Sequence, residues 1–233
     1  MKEKNKDENG SRLKKAAVVL NGKPESKIFL QNRLNEEDYD EIIAADGGAK
    51  ILRDIEVSPD VVIGDMDSLS REAISELKDK GCKISSFPPE KDETDAELSL
   101  QYCSRQEIES VDILSALGGR VDQQIANIFL LELAEKLDLK AVILDGGLEI
   151  GLVGQKTVFE DCEGARLSLL PLDKIVGRIK IEGCKYNASE IELKRYRTRG
   201  LSNLITSELA LVKNQKGSLV YVIDKKHGNL NSD

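Results

Sequence analysis

Six short apolar runs separated by helix-length stretches constrain this chain more than any other feature. Residues 16–20 (AAVVL), 41–45 (EIIAA), 61–63 (VVI), 83–87, 111–117 (VDILSAL) and 140–144 (KAVIL) form the runs, and several are apolar without alternation. A strand with one wet face alternates; a continuous apolar run needs cover on both faces, as in a parallel sheet flanked by helices. Residues 49–54, 70–80, 94–105 and 122–137 carry helical periodicity between the runs. In the last of these, Ile125, Ile128, Phe129, Leu131, Leu133 and Leu137 are expected to face inward. The alternation predicts an α/β domain on an open, mostly parallel sheet with helices on both faces.

After DGGLEIGLVGQ the texture changes. Residues 166–170, 175–181, 190–194, 208–212 and 218–223 are β-like, with turn residues at short intervals and no long amphipathic helix between them. That pattern predicts an all-β sandwich. The expected organisation is a mobile tail at 1–14, an α/β catalytic domain over 15–150, a β-sandwich over 151–225, and a second tail at 226–233. The opening MKEKNKDENGSRLKK mixes both charges and lacks the apolar core of a secretory signal, and no run of 18 apolar residues occurs. A cytoplasmic protein with no membrane contact is expected.

Charge narrows the partners. Lys and Arg number 34 against 42 Asp and Glu, a net −8. An acidic chain repels polyanions, so nucleic acid is not an expected partner. A small anion chelated by a divalent cation is compatible, because the ion inverts the local charge. The four Cys have no CxxC spacing and are expected to be buried, idle thiols. The one histidine, His227, removes His-based triads and leaves carboxylates as the titrating chemistry.

The acids cluster where strands end. In PDVVIGDMDSL, Asp65 and Asp67 follow an apolar run; at i and i+2 of an extended chain they share a face and meet one hard cation, with Met66 pointing away and Ser68 adding an oxygen. The same residues also read as a solvated turn. Asp46 lies in IIAADGGAK, at the carboxyl end of another run, where open α/β sheets bind ligands. In FPPEKDETDAELSL, Asp92 or Glu93 is expected to cap a helix starting near Thr94, with Asp95 in its first turn and Lys91 placed to meet phosphate at the helix's positive end. In ALGGRVDQQIANI, Arg120 offers a planar phosphate fork, and Asp122 is a candidate helix cap. Neither a Rossmann nor a Walker glycine pattern is present. In ELKRYRTRG, Arg195, Arg197 and Arg199 would share one strand face, read as a solvated outer surface outside the site.

ADGGA, GDMDS, KDETD and GGRVDQ, in this order, resemble the thiamine pyrophosphokinase family, and GCKYNAS and GLSNLIT resemble the end of its thiamine-binding domain. The resemblance implies Mg²⁺-dependent transfer of pyrophosphate from ATP to thiamine, releasing AMP, in a homodimer with composite active sites. It implies that Asp46, Asp65, Asp67 and Asp95 surround metal and phosphates, with Asp65, Asp67 and Asp95 as metal ligands. Lys91, Asp92, Thr94, Arg120, Asp122 and Gln123 would hold nucleotide; Asp46, Tyr186, Ser202 and Asn203 would lie on the thiamine side. Two positions depart from the family pattern: Gln123 stands where many relatives carry His, and Tyr186 where many carry Trp. Three other readings stay open: a pyrophosphokinase for another heterocyclic alcohol such as a hydroxymethyl-pterin, a metal-dependent phosphohydrolase using GDMDS as its nucleophile loop, and a non-catalytic nucleotide-binding regulator.

Overall fold

The computed structural model describes residues 13–226 except 89 and 91. Residues 1–12 and 227–233 of the expected tails, with His227, lie outside the described residues. The chain forms two compact units, the first ending at Gly146 and the second beginning at Gly147.

The first unit alternates strand and helix: β1 Lys15–Val19, α1 Lys27–Glu36, β2 Glu41–Ala45, α2 Gly48–Asp54, β3 Val61–Gly64, α3 Arg71–Asp79, β4 Lys83–Ser86, α4 Asp95–Arg105, β5 Ser110–Leu114, α5 Val121–Lys136 and β6 Lys140–Asp145. Its strands pair in parallel in the order β6-β5-β1-β2-β3-β4. Val18 of the central β1 sits between Ile43 and Ile113, and the continuous apolar runs follow from this, since Ala16 to Val19 are each at most 1% exposed. Right-handed crossovers moving from β1 to β4 put α1, α2 and α3 on one face. There Leu30, Leu34 and Leu52 pack with Ala17, Val19, Ala44, Val62 and Leu114. The return to β5 reverses direction, and α4 and α5 cover the other face.

Two details of the first unit's helices differ from the sequence expectation. Helix α1 carries no assignment there. Ser26 caps it by accepting from the Phe29 N–H at 3.1 Å, yet Leu30 and Leu34 are its only buried side chains and Ile28 is 72% exposed, so its apolar residues do not trace one face. Helix α5 buries Leu131 and Ala134, whereas Ile125 and Phe129 are exposed rather than inward. The helix is apolar on several sides, and periodicity alone does not select which stripe meets the sheet.

A buried ion cluster crosses the sheet. Asp112 on β5 is 2% exposed. It accepts from Arg33 Nη2 at 2.5 Å, Arg33 Nε at 3.1 Å and Tyr39 Oη at 2.5 Å, and lies 3.1 Å from Lys15 Nζ. Burial, followed by the Asp112 charge, pushes the Tyr39 phenol well above its usual range, so it stays a donor. Removing the acid takes charge-assisted contacts from the cluster while Lys15 and Arg33 keep Glu37 at 3.5 and 3.0 Å, so the cost is about 1.5–3 kcal/mol. Asp112→Ala is therefore expected to lower the urea unfolding free energy by that amount, whereas Lys27→Ala, breaking an exposed pair with Asp54, shifts it by under ~1 kcal/mol.

The second unit is all β: β7 Leu148–Leu152, β8 Lys156–Glu160, β9 Arg166–Pro171, β10 Ile175–Glu182, β11 Ala188–Lys194, β12 Asn203–Leu204, β13 Leu209–Lys213 and β14 Leu219–Asp224. Antiparallel pairing sets the orders β12-β9-β14-β7 and β11-β10-β13-β8. Inward residues of both layers, among them Leu167, Leu169, Val176, Ile179, Val212 and Ile223, make one core, and Phe159 meets Tyr221 edge-on at 5.1 Å. The architecture is an α/β domain followed by a β-sandwich.

Candidate active site

Strand order in the first unit reverses between β1 and β5, and open α/β sheets bind ligands at the carboxyl ends beside such a reversal. A cleft of ≈ 440 Å³ opens there. Its walls are the turn after β1 with Asn21 and Gly22, Asp46 after β2, Asp65 after β3, Thr94 and Asp95 at the start of α4, and Gly119 and Arg120 before α5.

Asp46 takes φ 44, a left-handed conformation Asp tolerates better than most residues, and its N–H donates to the Ile63 carbonyl at 2.8 Å. Asp65 and Asp67 meet by a different geometry from the extended chain the spacing suggests. Met66 turns at φ 65, and the Asp67 N–H donates back to Asp65 Oδ1 at 3.1 Å. A left-handed Met costs on the order of 1 kcal/mol, and packing against the core holds it. The turn gathers one carboxylate oxygen each from Asp46, Asp65 and Asp67 within 4.8 Å. Asp46 Oδ1 and Ser68 Oγ are buried without a hydrogen-bond partner. The charge of Asp65, then that of Asp46, raises the pKa of Asp67. Crowded acids around an orphaned buried oxygen form a donor set for a hard divalent cation, which takes oxygen ligands.

Asp95 stands beside this group. A Cβ on Gly64 would lie 3.2 Å from Asp46 Cβ and 3.3 Å from Asp95 Cγ, so a side chain there would press on both acids, and the φ of +155 also favours glycine. The cap of α4 is Thr94, whose side chain accepts from the Glu97 N–H at 3.2 Å; neither Asp92 nor Glu93 serves. Asp92 is exposed, and Lys91 lies outside the described residues. Asp122 is likewise not a cap. The N-cap of α5 is Arg120, without a side-chain capping bond. Asp122 instead accepts from Arg120 Nε at 3.1 Å and Nη2 at 2.5 Å, which lowers the Asp122 pKa. Gln123 lines the cleft beside Arg120. The structure thus gathers Asp46, Asp65, Asp67, Thr94, Asp95, Arg120 and Gln123. Sequence reasoning missed Asn21, Gly22, Gln124 and Asn127, which also line the cleft; the Asn-Gly pair after the first apolar run was the available signal.

In the second unit, Tyr186 is 65% exposed and Lys185 Nζ lies 5.7 Å from its ring centre. Buried Asn203 grips the Tyr186 backbone: Oδ1 accepts from the Tyr186 N–H at 3.0 Å, and Nδ2 donates to the Tyr186 carbonyl at 2.9 Å. Oδ1 also accepts from the Leu204 N–H at 3.0 Å. Ser202, exposed at φ 58, is anchored by its N–H to Ser168 Oγ at 3.0 Å. Tyr186, Asn203, Leu201 and Arg199 line an apolar cavity of ≈ 300 Å³. β11 ends at Lys194, so residues 195–199 form a turn rather than a strand face, and Arg199 joins the cavity wall. All four Cys are buried and free; burial pushes the Cys103 thiol up to about 12, which leaves it inert.

An acidic, cation-competent cleft at the ends of a parallel sheet, flanked by two helix N-termini and an arginine, is an arrangement suited to phosphate-bearing ligands. Comparison with known proteins is specific. Residues 31–143 match the thiamin pyrophosphokinase catalytic-domain family. It is similar to thiamine pyrophosphokinase of Bacillus subtilis, 24% identical over 182 residues covering 77% of this chain and 85% of that protein. It is also similar to thiamine pyrophosphokinase 1 of Arabidopsis thaliana, 27% identical over 181 residues covering 73% and 67%. The fold matches the crystal structure of the Bacillus subtilis enzyme with TM-score 0.78 at 21% identity, covering 91% of this chain and 99% of that one. It matches yeast thiamin pyrophosphokinase with TM-score 0.77 at 16% identity, covering 95% and 88%.

Crowded acids cost stability until a cation arrives. A raised folded-state pKa favours protonated Asp67, so that contribution holds at low pH and is lost as pH rises through the raised value. At pH 7 in chelator, Asp67→Asn is therefore expected to melt no lower than the parent protein. Added Mg²⁺ should raise the parent's melting temperature and leave the variant's nearly unchanged. Equal Mg²⁺ shifts in both would remove Asp67 from the cation site.

Proposed function

We infer that this protein is a thiamine pyrophosphokinase: it transfers pyrophosphate from ATP to the hydroxyl of thiamine, giving thiamine diphosphate and AMP. The observation that carries the reading is the Asp46, Asp65 and Asp67 cluster with its orphaned buried oxygen, set in the cleft of a chain whose residues 31–143 match this family. Mg²⁺ is the proposed cation, with Asp46, Asp65 and Asp67 as its ligands and Asp95 alongside, and when bound it neutralises polyphosphate charge. Arg120 would exchange Asp122 for phosphate; both partners are well exposed, so their pair is weak and easily displaced. The N-termini of α4 and α5 add positive dipole ends to the same cleft. Thr94 fixes where α4 begins, and with it the position of Asp95. The acceptor's hydroxyl oxygen attacks the β-phosphorus and AMP leaves. Positioning and charge neutralisation dominate such transfers, so the chain needs no covalent intermediate.

For the acceptor, we propose that Tyr186 covers the cationic heterocycle, with Ser202 nearby and Asn203 holding the tyrosine's backbone in place. A phenol ring attracts a cation by its face, less strongly than indole. We further propose a homodimer in which Tyr186 of one protomer serves the cleft of its partner. Nucleic acid has no part in this reading, and among the described residues no helix is long and apolar enough to cross a membrane.

With ATP, Mg²⁺ and thiamine, AMP is expected to form in step with thiamine diphosphate, without ADP. ADP with a monophosphate product would indicate an ordinary kinase, phosphate release without acceptor a hydrolase, and turnover with only a pterin alcohol a different acceptor. Tyr186→Ala should raise the thiamine KM about tenfold or more while the ATP KM stays within about twofold, since it removes ring contact alone. Mixing Tyr186→Ala with Asp67→Asn subunits should recover activity if sites are shared. A mixture no more active than its parents after verified subunit exchange means each chain completes its own site.

A further inference from the structure

We propose that Gln124 and Asn127 are positioning residues that set the polyphosphate-facing shape of the loop at residues 115–120. The proposal rests on the nucleotide reading of the cleft. Helix α5 has no side-chain cap at its N-terminus. Instead, two side chains from its first turns reach back to the loop that feeds it. Gln124 Nε2 donates to the Gly119 carbonyl at 2.9 Å, and Asn127 Nδ2 donates to the Ala116 carbonyl at 2.8 Å. The turn after β1 engages two more carbonyls of the loop. The Gly22 N–H donates to the Ser115 carbonyl at 2.8 Å, and the Lys23 N–H to the Leu117 carbonyl at 2.9 Å. The two loops meet backbone to backbone, since a Cβ on Gly22 would fall 2.3 Å from both the Ser115 and Leu117 oxygens.

Four successive acceptors of the loop, apart from Gly118, are therefore held by donors. The consequence is electrostatic. A carbonyl oxygen turned toward a polyphosphate repels it, whereas N–H groups and a guanidinium attract it. Engaging the carbonyls keeps their negative ends on fixed donors and leaves Arg120 as the group the loop offers to an anion. The Ser115 and Leu117 bonds come from the backbone N–H groups of Gly22 and Lys23, which no substitution short of proline removes. The Gly119 and Ala116 bonds come from side chains, and both residues also line the cleft. Loss of either tie would free a carbonyl within a few residues of Arg120.

Asn127→Leu and Gln124→Met keep size and remove the donor. Titration calorimetry with a non-hydrolysable ATP analogue and Mg²⁺, without thiamine, is expected to show about tenfold weaker binding for each variant. The ATP KM should rise in parallel while the thiamine KM stays within about twofold. Asn127→Gln, which retains the amide donor, should recover most of the loss. A merely structural staple would lower the melting temperature and leave nucleotide affinity of the folded fraction unchanged; that result in the variants overturns the proposal. So does an equal rise in both KM values. If Asn127→Leu does not fold, Gln124→Met alone decides. If the parent protein binds the analogue but makes no thiamine diphosphate, the acceptor assignment fails and the calorimetry still tests the two ties. If the parent binds no nucleotide, this proposal falls with the nucleotide reading.

Discussion

Repulsion among three carboxylates gathered within 4.8 Å is the constraint to which the first unit is built. Like charges this close oppose one another strongly wherever water is partly excluded. Asp46 and Asp65 each follow the last residue of a paired strand, and Asp67 is tied back to Asp65 through its N–H. Ala45 and Ile63 are paired in the sheet, and the next residue, Asp46, donates its N–H to the Ile63 carbonyl. The left-handed turns at Asp46 and Met66 are the local strain this needs. A sheet whose central strand is almost wholly out of water supplies the stability to hold it.

The same sheet treats another acid in the opposite way. Asp112 is more deeply buried than Asp46, yet Lys15, Arg33 and Tyr39 surround it with protons and positive charge. That acid is compensated from within, and its chemistry is closed. At Asp46, one buried oxygen has no internal donor, and its neighbours are further acids. A fold able to neutralise Asp112 so fully did not do so at the carboxyl ends of β2 and β3. Among the described residues no cation pairs with that oxygen, an arrangement consistent with the cation-dependent reading proposed above.

The core strands were legible because parallel strands must be apolar on both faces, and no other element so short has that need. Residues 41–45 coincide with β2 for this reason. Helix α1 and strand β7 were not legible: Ile28 of α1 faces solvent, and β7 contains Gly151, against which the Tyr221 ring packs. The acids of the site were legible as residues because they follow apolar runs, but not as geometry. The i and i+2 spacing suggested an extended pair, and the structure delivers a turn at Met66. The ties from Gln124 and Asn127 had no signal, because a side chain reaching back to a loop carbonyl leaves no mark in composition or period. Arg199 was hidden by its run of basic neighbours, since strand alternation does not apply past Lys194.

Gln123 bears on how such a cleft manages protons. It lines the cavity where the family resemblance expects histidine, and an amide does not titrate between pH 5 and 8. No imidazole stands in the cleft among the described residues; its charged side chains among them are carboxylates and Arg120. A reaction with heavy demand for general-base catalysis would be poorly served. Phosphoryl transfer makes a smaller demand, because its loose transition state asks chiefly for charge to be neutralised and atoms to be held in line. A hydroxyl proton released late can pass to a carboxylate or to water. On the proposed function, glutamine at this position is compatible with a cleft that works through fixed charge, from the acid cluster and Arg120, rather than through a proton relay.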